Sequence, residues 1–211
     1  MRGKIASMLV SFLALGAVPA LAEQLKEFEP QRAQRAAEIL VSAAGKIEGP
    51  QVKIAADVSK AVGLRLRDDG ILAVPQKGLD EEKEDAAVNT DPGAALGYLF
   101  MSPGFSLVVQ DRCVEAQKLR NVAITDNQGT ERTIACFLLA VRQVDDENWR
   151  LYVYGADKKP LVDVAFAEAT VERPAPVALD IESVSGIRGT LVVTVLGKYR
   201  AGFPLEATVA R

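Results

Sequence analysis

Ile134-Ala135-Cys136-Phe137-Leu138-Leu139-Ala140-Val141 is apolar at every position. The run has the length of a strand and is far too short to span a membrane. A half-exposed strand alternates apolar with polar side chains, and this one does not. Both of its faces are therefore expected to be covered, which makes it a central strand lying under a second sheet or a helix.

The neighbouring segments read outward from that strand. Asp145-Asp146-Glu147-Asn148 turns the chain into residues 149–154, where alternation returns. Trp149, Leu151 and Val153 share one face, and Arg150, Tyr152 and Tyr154 share the other. On the N-terminal side, Asp126-Asn127-Gln128-Gly129 is a hairpin turn between segments 119–125 and 130–144. With Thr125 opposite Thr130, Leu119 falls opposite Cys136. Cys113 then cannot pair along this hairpin and must return from the preceding segment. A Cys113–Cys136 disulfide would pin residues 105–113 onto the central strand and contribute about 3 kcal/mol in the chain-entropy model. The chain has two cysteines, no Cys-x-x-Cys and no helper ligands at metal spacing. That favours a structural bridge over a redox or metal-binding pair.

Further short apolar runs at 98–101, 105–110, 161–171, 177–184, 190–196 and 203–209 are separated by Pro, Gly and polar turns. Strands at that spacing suggest an antiparallel sandwich or open barrel. N-terminal to them, Ala33, Ala36, Ala37, Leu40, Val41, Ala44 and Ile47 form one stripe of a helix over 31–46, with Pro30 in its first turn. Its small side chains suit close docking on a sheet. Segment 51–62 fits a strand and a helix equally well. Residues 64–67 and 71–74, joined by Asp68-Asp69-Gly70, read as a second hairpin. The expected class is mainly β (α+β overall), with the N-terminal helix and hairpin packed on a sandwich. The organisation reads as an N-terminal element at 23–78, an acidic linker at 79–93 and a β-sandwich at 94–211. The alternative is one domain over 23–211.

Residues 1–22 carry Arg2 and Lys4, an apolar stretch from Ile5 to Val18, Pro19 and then Ala20-Leu21-Ala22. This is the pattern of a secretory signal peptide cleaved after Ala22. The apolar stretch falls short of the roughly 18 residues that a span needs, and no lipid-accepting cysteine follows. The expected product is soluble, periplasmic or secreted, and without stable membrane insertion. Removal of this segment, which holds two of the 25 basic and none of the 28 acidic residues, changes the net charge from −3 to −5.

The chain contains no histidine. That excludes Ser-His-Asp and Cys-His catalysis and His-ligated metals. The acidic balance argues against nucleic-acid partners. No nucleotide-binding glycine loop or G-x-S-x-G elbow occurs. No catalytic residue, metal ligand or cofactor is assigned. The acidic turn Asp145-Asp146-Glu147 reads as solvated, and Asp163, Glu168, Asp180 and Glu182 as strand positions mostly facing water. The candidate binding surface is Tyr152 and Tyr154 with Arg150, a face suited to a glycan or a protein segment. The plainer reading has both tyrosines in the core. The functional expectation is a non-enzymatic binding module for an envelope or extracellular protein or glycan. One alternative is a histidine-free hydrolase or lyase acting on a polymer through carboxylates or tyrosine. Another is an assembly subunit that pairs through an open strand edge.

Overall fold

The computed structural model describes residues 25–47, 51–79, 86–126, 129–170 and 175–208. The expected signal segment at 1–22, residues 80–85 of the acidic stretch and Asn127-Gln128 of the hairpin turn lie outside the described residues. The apolar run falls inside β8 (Glu131–Asp145), the hub of an antiparallel sheet. One edge of β8 pairs with β4 (Ala94–Met101). Its other edge pairs first with β7 (Arg120–Thr125) and then with β9 (Asn148–Tyr154). Beyond β4 lie β3 (Asp69–Pro75), β2 (Val62–Leu66) and β1 (Lys26–Glu27), and beyond β9 lies β10 (Val162–Ala165).

A second antiparallel sheet runs from β12 (Val177–Ser185) through β13 (Arg188–Val195), β14 (Tyr199–Ala207) and β5 (Phe105–Val109) to β6 (Arg112–Cys113). The short β11 (Ala167–Glu168) pairs with the start of β14.

Alternation along β8 divides its side chains between two cores. Phe137 and Leu139 meet Leu99, Leu151, Val153, Leu191 and Phe203 between the sheets. Cys136, Leu138 and Ala140 face the opposite way, onto helix α1 (Pro30–Ala44), with Tyr98, Phe100 and Tyr154. The unbroken apolar run thus has a sheet on one side and a helix on the other. The result is a β-sandwich with one N-terminal helix docked on the outer face of its larger sheet. Among the described residues no helix is long and apolar enough to cross a membrane.

Pro30 stands in the first turn of α1, and Ala33, Ala37, Leu40 and Ala44 form its buried stripe. Just before the helix, the Phe28 N–H donates to the Gly63 carbonyl at 2.9 Å. The Phe28 ring lies over Gly63 and Gly70, where an added Cβ would stand 2.7 Å from Cδ2 and 2.8 Å from Cζ. The two strand glycines therefore form the seat that fixes the approach to α1. This explains why the hairpin turns earlier than the Asp-Gly pair suggests. The turn is Arg67-Asp68, with Arg67 at φ +57° and Leu66 opposite Asp69. Asp69 and Gly70 belong to β3, where Asp69 Oδ1 accepts from the Gly104 N–H at 3.1 Å. The hairpin itself joins the larger sheet as β2 and β3.

The second hairpin is also offset by one residue from expectation. Thr125 pairs with Glu131, not Thr130, so Arg120 rather than Leu119 faces Cys136. The cause is the turn: the Asp126 N–H donates to the Thr130 carbonyl, and Asp126 Oδ1 accepts from the Thr130 N–H, both at 2.9 Å. Asp126 and Thr130 thus close the loop, with Gly129 at φ +78°. Segment 51–62 is neither strand nor α-helix up to Ala61. It is an irregular loop with a single 3₁₀ turn at Val58–Lys60 and a bridge from Ala56 to Gln76, before β2 begins at Val62.

The expected Cys113–Cys136 disulfide does not form. Both cysteines are free, Cys113 exposed and Cys136 buried. Cys113 lies on β6 of the second sheet, opposite Val108. Cys136 faces α1, on the far side of the larger sheet. The even parity that places Cys136 with Leu138 and Ala140 turns its thiol away from the sheet that carries Cys113.

Candidate functional site

One end of the α1-facing core is incompletely filled. Four strand residues line it from below: Tyr98 on β4, Arg120 on β7, and Cys136 and Leu138 on β8. The last turn of α1 and its exit contribute Ala44, Gly45 and Ile47, and the irregular loop adds Lys53 and Ile54. The cavity measures about 190 Å³. A second depression, about 490 Å³ beside Glu168, Lys198 and Tyr199, is larger but opens broadly to solvent. The first has the more built character, because it alone contains a buried charge.

Arg120 is 7 % exposed and is the one buried charged side chain among the described residues. Its Nη2 donates to Gln51 Oε1 at 2.8 Å. Gln51 Nε2 in turn donates to the carbonyls of Ala156 and Asp157, at 3.0 and 2.6 Å. Those two acceptors fix the orientation of the Gln51 amide, so its oxygen must face the guanidinium. Arg120 Nε has no acceptor, and no carboxylate pairs with Arg120 among the described residues. A buried donor left in this way costs about 1–3 kcal/mol.

The thiol and the phenol in the cavity are held neutral. Burial pushes the Cys136 thiol up to about 12 against the opposing influence of Arg120. Burial likewise raises the Tyr98 phenol, aided by Cys136 and opposed by Arg120. A thiol in that range is neither a nucleophile nor a ready metal ligand at neutral pH. The lining can donate hydrogen bonds and attract an acceptor; it offers no base.

The tyrosines of the expected binding face lie elsewhere. Alternation places Tyr152 and Tyr154 together, but toward α1, where they are 8 % and 1 % exposed. Both are core residues. The Tyr154 hydroxyl donates to the Pro92 carbonyl at 2.9 Å, and the Arg142 guanidinium stands 5.9 Å over the Tyr152 ring. Of the three, only Arg150 reaches solvent appreciably, and Asp163 holds it in an ion pair. Nor do the candidate carboxylates converge. Asp163 is on β10, Glu168 on β11, Asp180 and Glu182 on β12, and Asp145 caps its own turn by accepting from the Glu147 N–H.

The sequence reading passed over Arg120, yet a signal was present. In the segment Arg120-Asn121-Val122-Ala123-Ile124, the arginine falls in phase with Val122 and Ile124, the face that proves buried. Compared with protein-family models, curated proteins and solved structures, the chain matches none of them.

Proposed function

We propose that this is a non-enzymatic binding module, exported to the envelope or extracellular space, that holds a small ligand between α1 and the larger sheet. The carrying observation is the makeup of the cavity. It combines a buried cation that no carboxylate pairs with among the described residues and two groups held in their protonated forms. Such a lining recognises an acceptor but supplies neither general base nor nucleophile. The competing hydrolase reading needs two carboxylates converging across a substrate. Asp163 and Glu182 are instead each occupied by an arginine, Arg150 and Arg200 respectively, on separate sheets. Assembly through an open edge draws little support from β12. Ser183 at φ +51°, a register shift between Glu182 and Ser185, and the exposed Asp180 and Glu182 all break up that edge.

Native mass spectrometry of the protein recovered from the envelope or culture medium tests the reading. The expected result is a mature mass beginning at Glu23 and a retained small molecule that is released intact on denaturation. Time-dependent conversion of a retained ligand would refute the non-enzymatic role.

A further inference from the structure

We infer that the Arg120 cavity is a binding site for a compact monocarboxylic acid with an apolar tail. The inference rests on the binding-module reading and adds the chemical class of the ligand.

Charge supplies the first half of the case. Among the described residues two cations, Arg120 and Lys53, line the cavity, and no carboxylate does. Arg120 is buried and tethered on one side by Gln51, and no carboxylate pairs with its guanidinium among the described residues. The Tyr98 hydroxyl, across β8 on β4, also lines the cavity and has no protein acceptor among the described residues. A carboxylate is the acceptor that answers a buried guanidinium, through charge-assisted hydrogen bonds. The C-terminal end of α1 opposes an anion, but its partial charge of about one half is outweighed by two full positive charges.

Shape and polarity supply the other half. Ala44, Ile47, Ile54 and Leu138 make the rest of the lining apolar. At about 190 Å³ the space exceeds the roughly 150 Å³ apolar cavity that accepts benzene. It suits a ligand of about six to nine non-hydrogen atoms, one end ionised and the other hydrocarbon. An inorganic anion would satisfy Arg120 but leave the apolar wall uncovered, so the acid is the better fit.

Isothermal titration of the full protein with benzoate and hexanoate tests the assignment, with benzamide, hexanamide and inorganic phosphate as comparisons. The acids are expected to bind, each amide at least about tenfold more weakly, and phosphate not to compete. Arg120→Gln is expected to weaken the acids at least about tenfold while leaving the amides unchanged. Should Arg120→Gln not fold, Ile54→Trp at the partly buried rim of the loop blocks the cavity with Arg120 in place, and it should abolish acid binding. Equal affinity for acid and amide overturns the inference, because Arg120 then only ties β7 to the Gln51 loop. Displacement of the acids by phosphate overturns it in favour of an inorganic-anion site. No binding of any probe overturns it and leaves water as the partner of Arg120. In those last three cases an intact copurified ligand still upholds the binding role, whereas conversion of a bound acid defeats that role itself.

Discussion

Replacing Gly70 with alanine should destabilise the protein through one neighbour, the Phe28 ring. An alanine Cβ at this position would stand 2.8 and 2.9 Å from Phe28 Cζ and Cε2, with the Leu64 carbonyl oxygen next at 3.2 Å. Ordinary carbon–carbon contact is about 3.5–4.0 Å, so the ring must retreat by well over half an ångström. Overpacking of this kind costs about 1–3 kcal/mol. Phe28→Ala alone should cost about 1.5–3 kcal/mol of lost burial, toward the low end because the ring is only partly buried. In the Phe28→Ala background the ring collision is gone and only the 3.2 Å contact with the Leu64 carbonyl oxygen remains, set against the about 0.5–1 kcal/mol that alanine regains through reduced backbone entropy in the strand. Gly70→Ala should therefore be costly in the wild type and close to neutral without the ring, giving a coupling of about 2 kcal/mol. Urea unfolding followed by far-UV circular dichroism, with fluorescence of the single Trp149 as a second probe, measures all four proteins. If Gly70→Ala costs the same within about 0.5 kcal/mol in both backgrounds, the seat for Phe28 is not what glycine supplies at 70.

Three further outcomes follow from the burial pattern. A thiol reagent should modify exposed Cys113 in the native protein and reach Cys136 only on unfolding; a linked Cys113–Cys136 peptide in a digest would contradict the assignment to opposite sides of the sheet. Burial holds both Cys136 and Tyr154 at about 12, whereas in the unfolded chain they ionise near 8.5 and 10. Above those values the unfolded state binds fewer protons, so stability is intact below about pH 8.5 and falls as pH rises toward 12. Cys136→Ala should remove the part that begins first, and parallel urea midpoints for wild type and variant between pH 9 and 11 would count against it. Phe137→Ala should cost about 3–5 kcal/mol because the ring is fully buried between the sheets. Asp163→Asn should cost less than about 1 kcal/mol, because its partner Arg150 sits at the surface; comparable losses would show that the core has been misplaced.

The fold was legible wherever a local pattern had one physical solution. The unbroken run at 134–141 required cover on both faces, and it has Phe203 on one side and Leu40 on the other. The Ala33, Ala37, Leu40 and Ala44 spacing forecast a docked helix, and Pro30 does open it. Registers were less legible. A one-residue slip moves every side chain to the other face, and the slip at the 126–130 turn is decided by the Asp126 side chain, not by hydrophobicity. The disulfide expectation failed for a related reason. Cysteine count and compartment favour pairing, but strand parity and sheet membership place Cys113 and Cys136 apart. Of the two readings of the tyrosines the core one holds, because β9 is covered on both faces at 151–154, which alternation within the strand does not reveal.

By itself, then, the sequence determined a β-rich chain with one amphipathic helix, the central place of residues 134–141 and the absence of histidine chemistry. Periodicity and composition suffice for these, because burial of an apolar face is a local demand. Only the tertiary structure decided what lies across from what. It set Phe28 over two glycines and parted the cysteines. It also buried Arg120 against Gln51, a residue 69 positions away. Such pairings depend on the packing of distant segments, and that packing is where the candidate site is made.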